Sequence, residues 1–229
     1  MDLFYHPPGS DHILTEEEAH HARVLRLAIG DRIMLVDGCG KRMEAQLTTN
    51  KKEFRFSVTK EEVVARPPYH IHLGVAPTKN MDRMEWLVEK CTELGVQQIS
   101  FMQCDRSERK TVNLDRLGKI ALSAMKQSQQ AWLPELTSPA DFHEVLLAHA
   151  DQRFIGHVDR ENQLHLQKLI EPGKRYLILI GPEGDFSPEE LMLANKRGFA
   201  TVALGPNRLR TETAAMVACA LLCGTQTDT

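Results

Sequence analysis

Two stretches of the chain combine residue types that chemistry needs and a plain turn does not. The first is Leu177-Ile178-Leu179-Ile180-Gly181-Pro182-Glu183-Gly184-Asp185-Phe186-Ser187-Pro188-Glu189-Glu190. The second is Ala203-Leu204-Gly205-Pro206-Asn207-Arg208-Leu209-Arg210-Thr211-Glu212-Thr213-Ala214-Ala215. In each, an apolar run breaks at Gly-Pro, crosses a polar loop and enters a helical pattern. Glycines let a backbone approach a ligand or take positive φ, and proline stiffens the loop between them. A helix starting there turns free N–H groups and its positive dipole end toward whatever lies above the strand ends. The first helix start is over-specified: Ser187 as N-cap, Pro188 at N1, and Glu190 at N3 closing a capping box. Gly181-Pro182-Glu183-Gly184 exceeds that need and reads as a ligand loop. Thr211 or Thr213 can cap the second helix. Arg210, between the loops, suits an anion or a developing negative charge; the bland alternative is a surface arginine. Neither loop is a G-x-G-x-x-G or a G-x-x-x-x-G-K-[ST], so dinucleotide and P-loop readings lack support.

Other candidates are weaker. His157 ends an apolar strand and is placed to touch a ligand. The ten histidines include His70 and His72 on one strand face and adjacent His20-His21, but no H-E-x-x-H, so no metal is expected. There is no G-x-S-x-G nucleophile elbow. Lys79, Arg83, Arg106, Arg109 and Lys110 form a basic excess suited to phosphates or to a solvated face. Five cysteines without a C-x-x-C pair read as reduced thiols, and Cys219 and Cys223 as small buried hydrophobes. The net charge of −3 announces no polyanion partner, so any nucleic acid must be met by local patches. Met1 to His6 has no basic region followed by an apolar run, and Ala214–Leu222 is too short for a bilayer, so a cytoplasmic location is expected.

The elements that must position these loops follow from periodicity. At roughly 150 residues per domain, 229 residues make one large domain or two unequal ones. Thr15 opens a short helix through Leu25, with Glu18 completing a capping box. Asp31–Val36, Arg42–Leu47 and Phe54–Val58 read as strands, Asp37-Gly38 as a turn, and together as a compact barrel-like domain. Arg66-Pro67-Pro68 ends it, giving domains 1–68 and 69–229. Beyond, strands at Ile71–Ala76, Val96–Phe101, Phe154–Val158, Arg175–Ile180 and Phe199–Leu204 alternate with helices at Asn80–Leu94, Leu114–Gln130, Pro188–Arg197 and Thr211–Leu222. Apolar strands alternating with helices predict an α/β fold with a parallel sheet covered on both faces. In such sheets ligands bind beyond the carboxyl ends of strands, where both loops lie.

At these loops the sequence resembles the 16S rRNA uracil-N3 methyltransferases of the SPOUT (α/β-knot) superfamily. The resemblance rests on Leu179 to Gly184 with Phe186-Ser187, and on Leu204-Gly205 through Leu209-Arg210-Thr211-Glu212-Thr213-Ala214. His20 to Arg26 with Gly30-Asp31 is similar to the family's N-terminal PUA-like RNA-binding domain, and Lys79 through Gly95 to its first catalytic-domain helix. Asp185 departs from the pattern, since the family usually has a second glycine there. Ser123 to Ser128 departs as well. The resemblance implies a trefoil-knotted C-terminal domain (a connection that periodicity does not show), S-adenosyl-L-methionine as cofactor, a homodimer formed through that domain, and the 16S rRNA of the 30S subunit as partner, with no membrane. By carry-over, Ile180, Gly181, Gly184, Leu204, Gly205, Leu209, Arg210 and Thr213 line the cofactor pocket.

The chemistry implied is positioning of a nucleobase nitrogen against an already activated methyl group. Uracil N3 carries a proton at neutral pH, so a base or a stabiliser of the developing anion is needed. Arg210 is the candidate for the electrostatic part, and Glu212 or Glu183 for proton removal, although both carboxylates also suit helix N-termini. Pairing hides N3, so the target uridine must be unstacked or single-stranded. Arg23, Arg26, Arg32, Lys79 and Arg109 are candidates for gripping RNA. Two other readings share these features: a related enzyme acting on another RNA or on a ribose 2′-hydroxyl, and a non-catalytic RNA-binding module.

Overall fold

The computed structural model describes residues 2–157 and 164–226, and the chain forms two compact units. The smaller comprises Met1–Arg66 with Leu122–Leu133, and the larger Pro67–Ala121 with Pro134–Thr229. The smaller unit is thus discontinuous, where the sequence reading draws one boundary at Arg66-Pro67-Pro68.

In the smaller unit β1 (Leu3–Tyr5), β2 (Arg32–Val36), β3 (Lys41–Asn50) and β4 (Phe54–Val63) make one sheet in that order. Alternation aims Met43, Ala45, Leu47, Phe54 and Phe56 at a core completed by Phe4, Ile33 and Leu35. Asp37 sets the β2–β3 turn, its Oδ1 accepting from the N–H groups of Cys39 (2.7 Å) and Lys41 (2.9 Å). Two register shifts, at Glu44/Ala45 and Leu47/Thr49, bend the β3–β4 ribbon. Helix α1 (Glu16–Val24) starts as expected, with the Thr15 hydroxyl accepting from Glu18 N–H at 3.3 Å. The expected box is only half made, because the buried Glu18 carboxylate takes the Lys126 ammonium at 2.5 Å instead. Residues 122–133 are held by the Trp132 indole donating to Val64 O (3.0 Å) and by Gly40 N–H donating to Ala131 O (2.9 Å).

Among the described residues the larger unit has six strands, β5 (His70–Val75), β6 (Gln98–Gln103), β7 (Glu135–Asp141), β8 (Gln152–Gly156), β9 (Arg175–Ile180) and β10 (Ala200–Val202), in the order β10-β8-β9-β5-β6-β7. Every pairing is parallel. The helices are α2 (Met81–Glu93), α3 (Leu114–Gln127, which continues into the smaller unit), α4 (Phe142–Val145), α5 (Pro188–Lys196) and α6 (Thr211–Gly224). Central strands buried on both faces read as unbroken apolar runs, as Leu177-Ile178-Leu179 does. On α2 the stripe of Met84, Leu87, Val88 and Cys91 is fully buried, and α6 packs against α2, β5 and β9. Val158, the last residue of the expected run from Phe154, lies outside the described residues. Among the described residues no helix is long and apolar enough to cross a membrane.

This order matters for function. The chain enters β8, returns through β9 on one side of it, and crosses to β10 on the other. The carboxyl ends of three neighbouring strands, Gly156, Ile180 and Val202, therefore open onto the same place.

Candidate functional site

A cleft of about 700 Å³ lies over those three ends, a size that suits a small-molecule cofactor. Its walls are residues 156–157 after β8, the Ile180–Asp185 stretch after β9, and residues 202–211 with Ala214 around β10 and the start of α6.

The first loop is built tightly. Pro182 O accepts from Asp185 N–H at 2.9 Å, which closes a turn. Asp185 sits at φ +63°, a left-handed conformation that favours glycine and that aspartate tolerates better than most residues. The glycine that the resemblance leads one to expect at this position would adopt that angle without strain. The two flanking glycines serve packing instead: a Cβ on Gly181 would stand 3.0 Å from the Phe186 ring, and one on Gly184 3.2 Å from Arg106 Cβ. Arg106 does not face a phosphate site; its Nη1 donates to Gly184 O (2.9 Å) and Phe186 O (3.2 Å) and ties the loop down. Beyond the turn the capping box forms as read from the sequence, with Ser187 Oγ accepting from Glu190 N–H (3.2 Å) and Ser187 N–H donating to Glu190 Oε2 (2.7 Å).

The second loop differs from expectation at its helix start. Neither Thr211 nor Thr213 caps α6: Arg210 is the N-cap residue and supplies no side-chain bond. The Thr211 hydroxyl instead donates to Gly181 O at 3.0 Å and clasps the two loops together. With no cap, the first N–H groups of α6 and its positive dipole end stay available at the cleft. At Gly205 an added Cβ would meet nothing within 4 Å, so the wall is open there.

Of the residues singled out from the sequence, Ile180, Gly181, Glu183, Leu204, Gly205, Leu209 and Arg210 line the cleft, whereas Gly184, Thr213 and Glu212 do not. Arg210 is exposed, and its guanidinium has no partner among the described residues. Glu212 is buried and pairs with Arg83 of α2, Nε to Oε1 3.6 Å. Glu183 spends its Oε1 on Lys79 N–H at 3.1 Å. Arg109 donates from Nε (3.2 Å) and Nη2 (2.9 Å) to Lys79 O, and Lys79 Nζ meets Glu108 at 3.0 Å. Lys79, Arg109 and Glu183 therefore brace one another beside the cleft. Arg23, Arg26 and Arg32 are exposed on the smaller unit.

One feature of the wall escapes motif reasoning. His157 Nδ1 lies 2.9 Å from Asp185 Oδ2, across 28 positions of sequence. Only the pairing of β8 with β9 brings them together. The sequence marks each residue singly, His157 as a strand end placed to touch a ligand and Asp185 as a departure from the resemblance, but gives no sign that they pair. Among the described residues no group of three metal-ligating side chains occurs, and the five cysteines are free.

Comparison with known proteins follows this geometry. An RNA methyltransferase domain model matches residues 65–223, and an RNA methyltransferase PUA domain model matches residues 14–59. The chain belongs to the RNA methyltransferase family. Among curated proteins, this methyltransferase is 31% identical over 218 residues to the "Ribosomal RNA small subunit methyltransferase E" of Buchnera aphidicola, covering 90% of this chain and 85% of the relative. Among solved structures, a "probable rRNA-methyltransferase" from Porphyromonas gingivalis superposes with a TM-score of 0.94 at 39% identity, over 100% of this chain and 99% of that one. The Ribosomal RNA small subunit methyltransferase E of Neisseria gonorrhoeae, crystallised bound to S-adenosyl methionine, superposes with a TM-score of 0.88 at 28% identity, over 99% of this chain and 98% of that one. The fold class of the methyltransferase is the expected one, a parallel α/β SPOUT domain with a PUA-like N-terminal domain.

Proposed function

We propose that this methyltransferase transfers a methyl group from S-adenosyl-L-methionine to N3 of a uridine in the 16S rRNA of the 30S subunit. The observation that carries the reading is the cleft itself: two glycine–proline loops at adjacent strand ends, clasped by the Thr211–Gly181 hydrogen bond. Relatives named for small-subunit ribosomal RNA methylation align over most of the chain, and one was crystallised with the same cofactor.

The residues present fit such a cofactor. Ile180, Leu204 and Leu209 offer apolar walls for an adenine ring, and the open backbone at Gly205 leaves room beside it. Bound there, the cofactor supplies a methyl already activated on a sulfonium. The chain's own part is to hold, orient and neutralise. Arg210 presents a free guanidinium at the cleft and stabilises negative charge as N3 loses its proton. Glu183 holds the Lys79 loop against the cleft mouth, and Glu212 packs the α6 start against α2 rather than meeting substrate. The smaller unit grips RNA through Arg23, Arg26 and Arg32, and Lys79 and Arg109 supply charge beside the cleft. Gly184 and Thr213 belong to the same two segments without lining the cleft themselves. A homodimer through the larger unit fits α6, where Met216, Val217, Ala220 and Leu221 are only partly buried, and α2, where Trp86 is 38% exposed. Both the cofactor and the rRNA are met in the cytoplasm.

The test is to incubate the protein with methyl-labelled cofactor and 30S particles lacking the modification, then digest the RNA to nucleosides. Label in 16S rRNA, recovered as 3-methyluridine by mass spectrometry, is expected. Label in a ribose-methylated nucleoside, or none in the RNA, overturns the reading.

A further inference from the structure

We propose that His157 is the base that removes the N3 proton, and that Asp185 is the residue that positions it. The inference rests on the methyl-transfer reading above and names its proton acceptor. Both side chains line the cleft, with His157 Nδ1 and Asp185 Oδ2 2.9 Å apart. The pair is anchored from every side. His157 N–H donates to Val202 O at 3.1 Å, which fixes its backbone between β8 and β10. The other carboxylate oxygen, Asp185 Oδ1, accepts from Phe186 N–H at 2.8 Å. Holding a non-glycine residue at φ +63° costs conformational energy, a cost that tends to persist where a side chain has work to do.

The geometry also selects the tautomer. An ionised carboxylate only accepts hydrogen bonds, so the proton of the imidazole sits on Nδ1 and the lone pair on Nε2. Nε2 has no partner among the described residues, and about a quarter of the side chain is open to solvent. Of the two glutamates that compete for the role, Glu183 has one oxygen engaged on Lys79 N–H, and Glu212 is buried beside Arg83 and does not line the cleft. As the step proceeds, the N3–H bond breaks and its proton passes to His157 Nε2. The electron pair left on N3 forms the bond to the methyl carbon, and the pair of the breaking C–S bond stays on sulfur. Asp185 faces the resulting imidazolium with a negative charge, as a carboxylate does in hydrolytic triads.

The experiment compares wild type, His157→Ala and Asp185→Gly in single-turnover methylation of 30S particles, with cofactor affinity measured separately by calorimetry. His157→Ala is expected to lose about 10²-fold or more in rate. It should bind cofactor within about fivefold of wild type, a small change on the logarithmic affinity scale. Added imidazole should restore part of its rate. Asp185→Gly, relaxed at that backbone angle, is expected to fold normally and lose about tenfold in rate at unchanged KM, the scale of loss of an orienting partner. Full rate in His157→Ala, loss of its cofactor binding, or failure of imidazole to restore any activity overturns the assignment. A wild-type protein that forms no 3-methyluridine overturns the parent reading instead, so the two failures are distinguishable.

Discussion

At the scale of single residues, the cleft separates side chains that line it from side chains that hold its walls. Arg210 is of the first kind: it lines the cleft, is exposed, and has no partner among the described residues. Arg210→Ala should therefore cost about 10²-fold in turnover, the usual loss of one preorganised donor at a developing charge. Cofactor affinity should fall much less. Steady-state kinetics beside calorimetry checks this, and unchanged turnover would return Arg210 to an ordinary surface arginine. Glu212 is of the second kind. Arg210, two positions earlier, shares the motif, yet it is the N-cap residue in extended backbone whereas Glu212 lies in the first turn of α6, so the two side chains leave the chain in different directions. The motif thus named both residues, but only the fold tells which one faces the cleft.

At the scale of elements, the strands carry a polar thread through an apolar sheet. His72 on β5 is buried, its Nε2 lying 2.7 Å from Ser100 Oγ on β6, and Thr137 on β7 donates to that same oxygen at 2.9 Å. Burial, with help from nearby His70 and Arg175, pushes the His72 imidazole down to about 4. The folded state thus binds its proton later than the unfolded chain, whose histidine titrates near 6.5. Stability from this group is complete above about pH 6.5 and drains away as the pH falls toward 4, on the order of 3 kcal/mol in all. Urea unfolding at pH 7 and pH 4 should show wild type losing about that much more than His72→Gln. Equal losses would contradict it. The sequence shows His70 and His72 sharing a strand face, but not that one of them is sealed against a neighbouring serine. Elements with a strong apolar signal, the unbroken run of β9 above all, were legible residue by residue. The short strand β1 and the polar, proline-containing β7 were not, because three residues, or a strand with no apolar alternation, leave no periodic signal. Of the site, the loops were legible because glycine, proline and capping residues are local signals. The His157–Asp185 pair was not, since it exists only through strand pairing.

At the scale of the molecule, the chain order in space is what makes a site. Placing β10 beyond β8 gathers three strand ends and two loops at one point, as ligand sites in parallel sheets require. The same non-local logic returns residues 122–133 to the smaller unit, where Trp132 packs so closely over Gly40 that a Cβ there would collide with its ring. The Arg66 guanidinium covers that ring at 4.1 Å. No linear reading finds such a return, because its contacts join segments far apart in sequence. The central claim is that the cleft between Gly181–Asp185 and Leu204–Arg210 is the seat of the methyl donor. Crystals grown with S-adenosyl-L-methionine, or with its demethylated product, test it most directly. The account predicts density between those two loops, with the adenine against Leu204 and Leu209. Saturating donor bound elsewhere, with that cleft filled only by water, would contradict it.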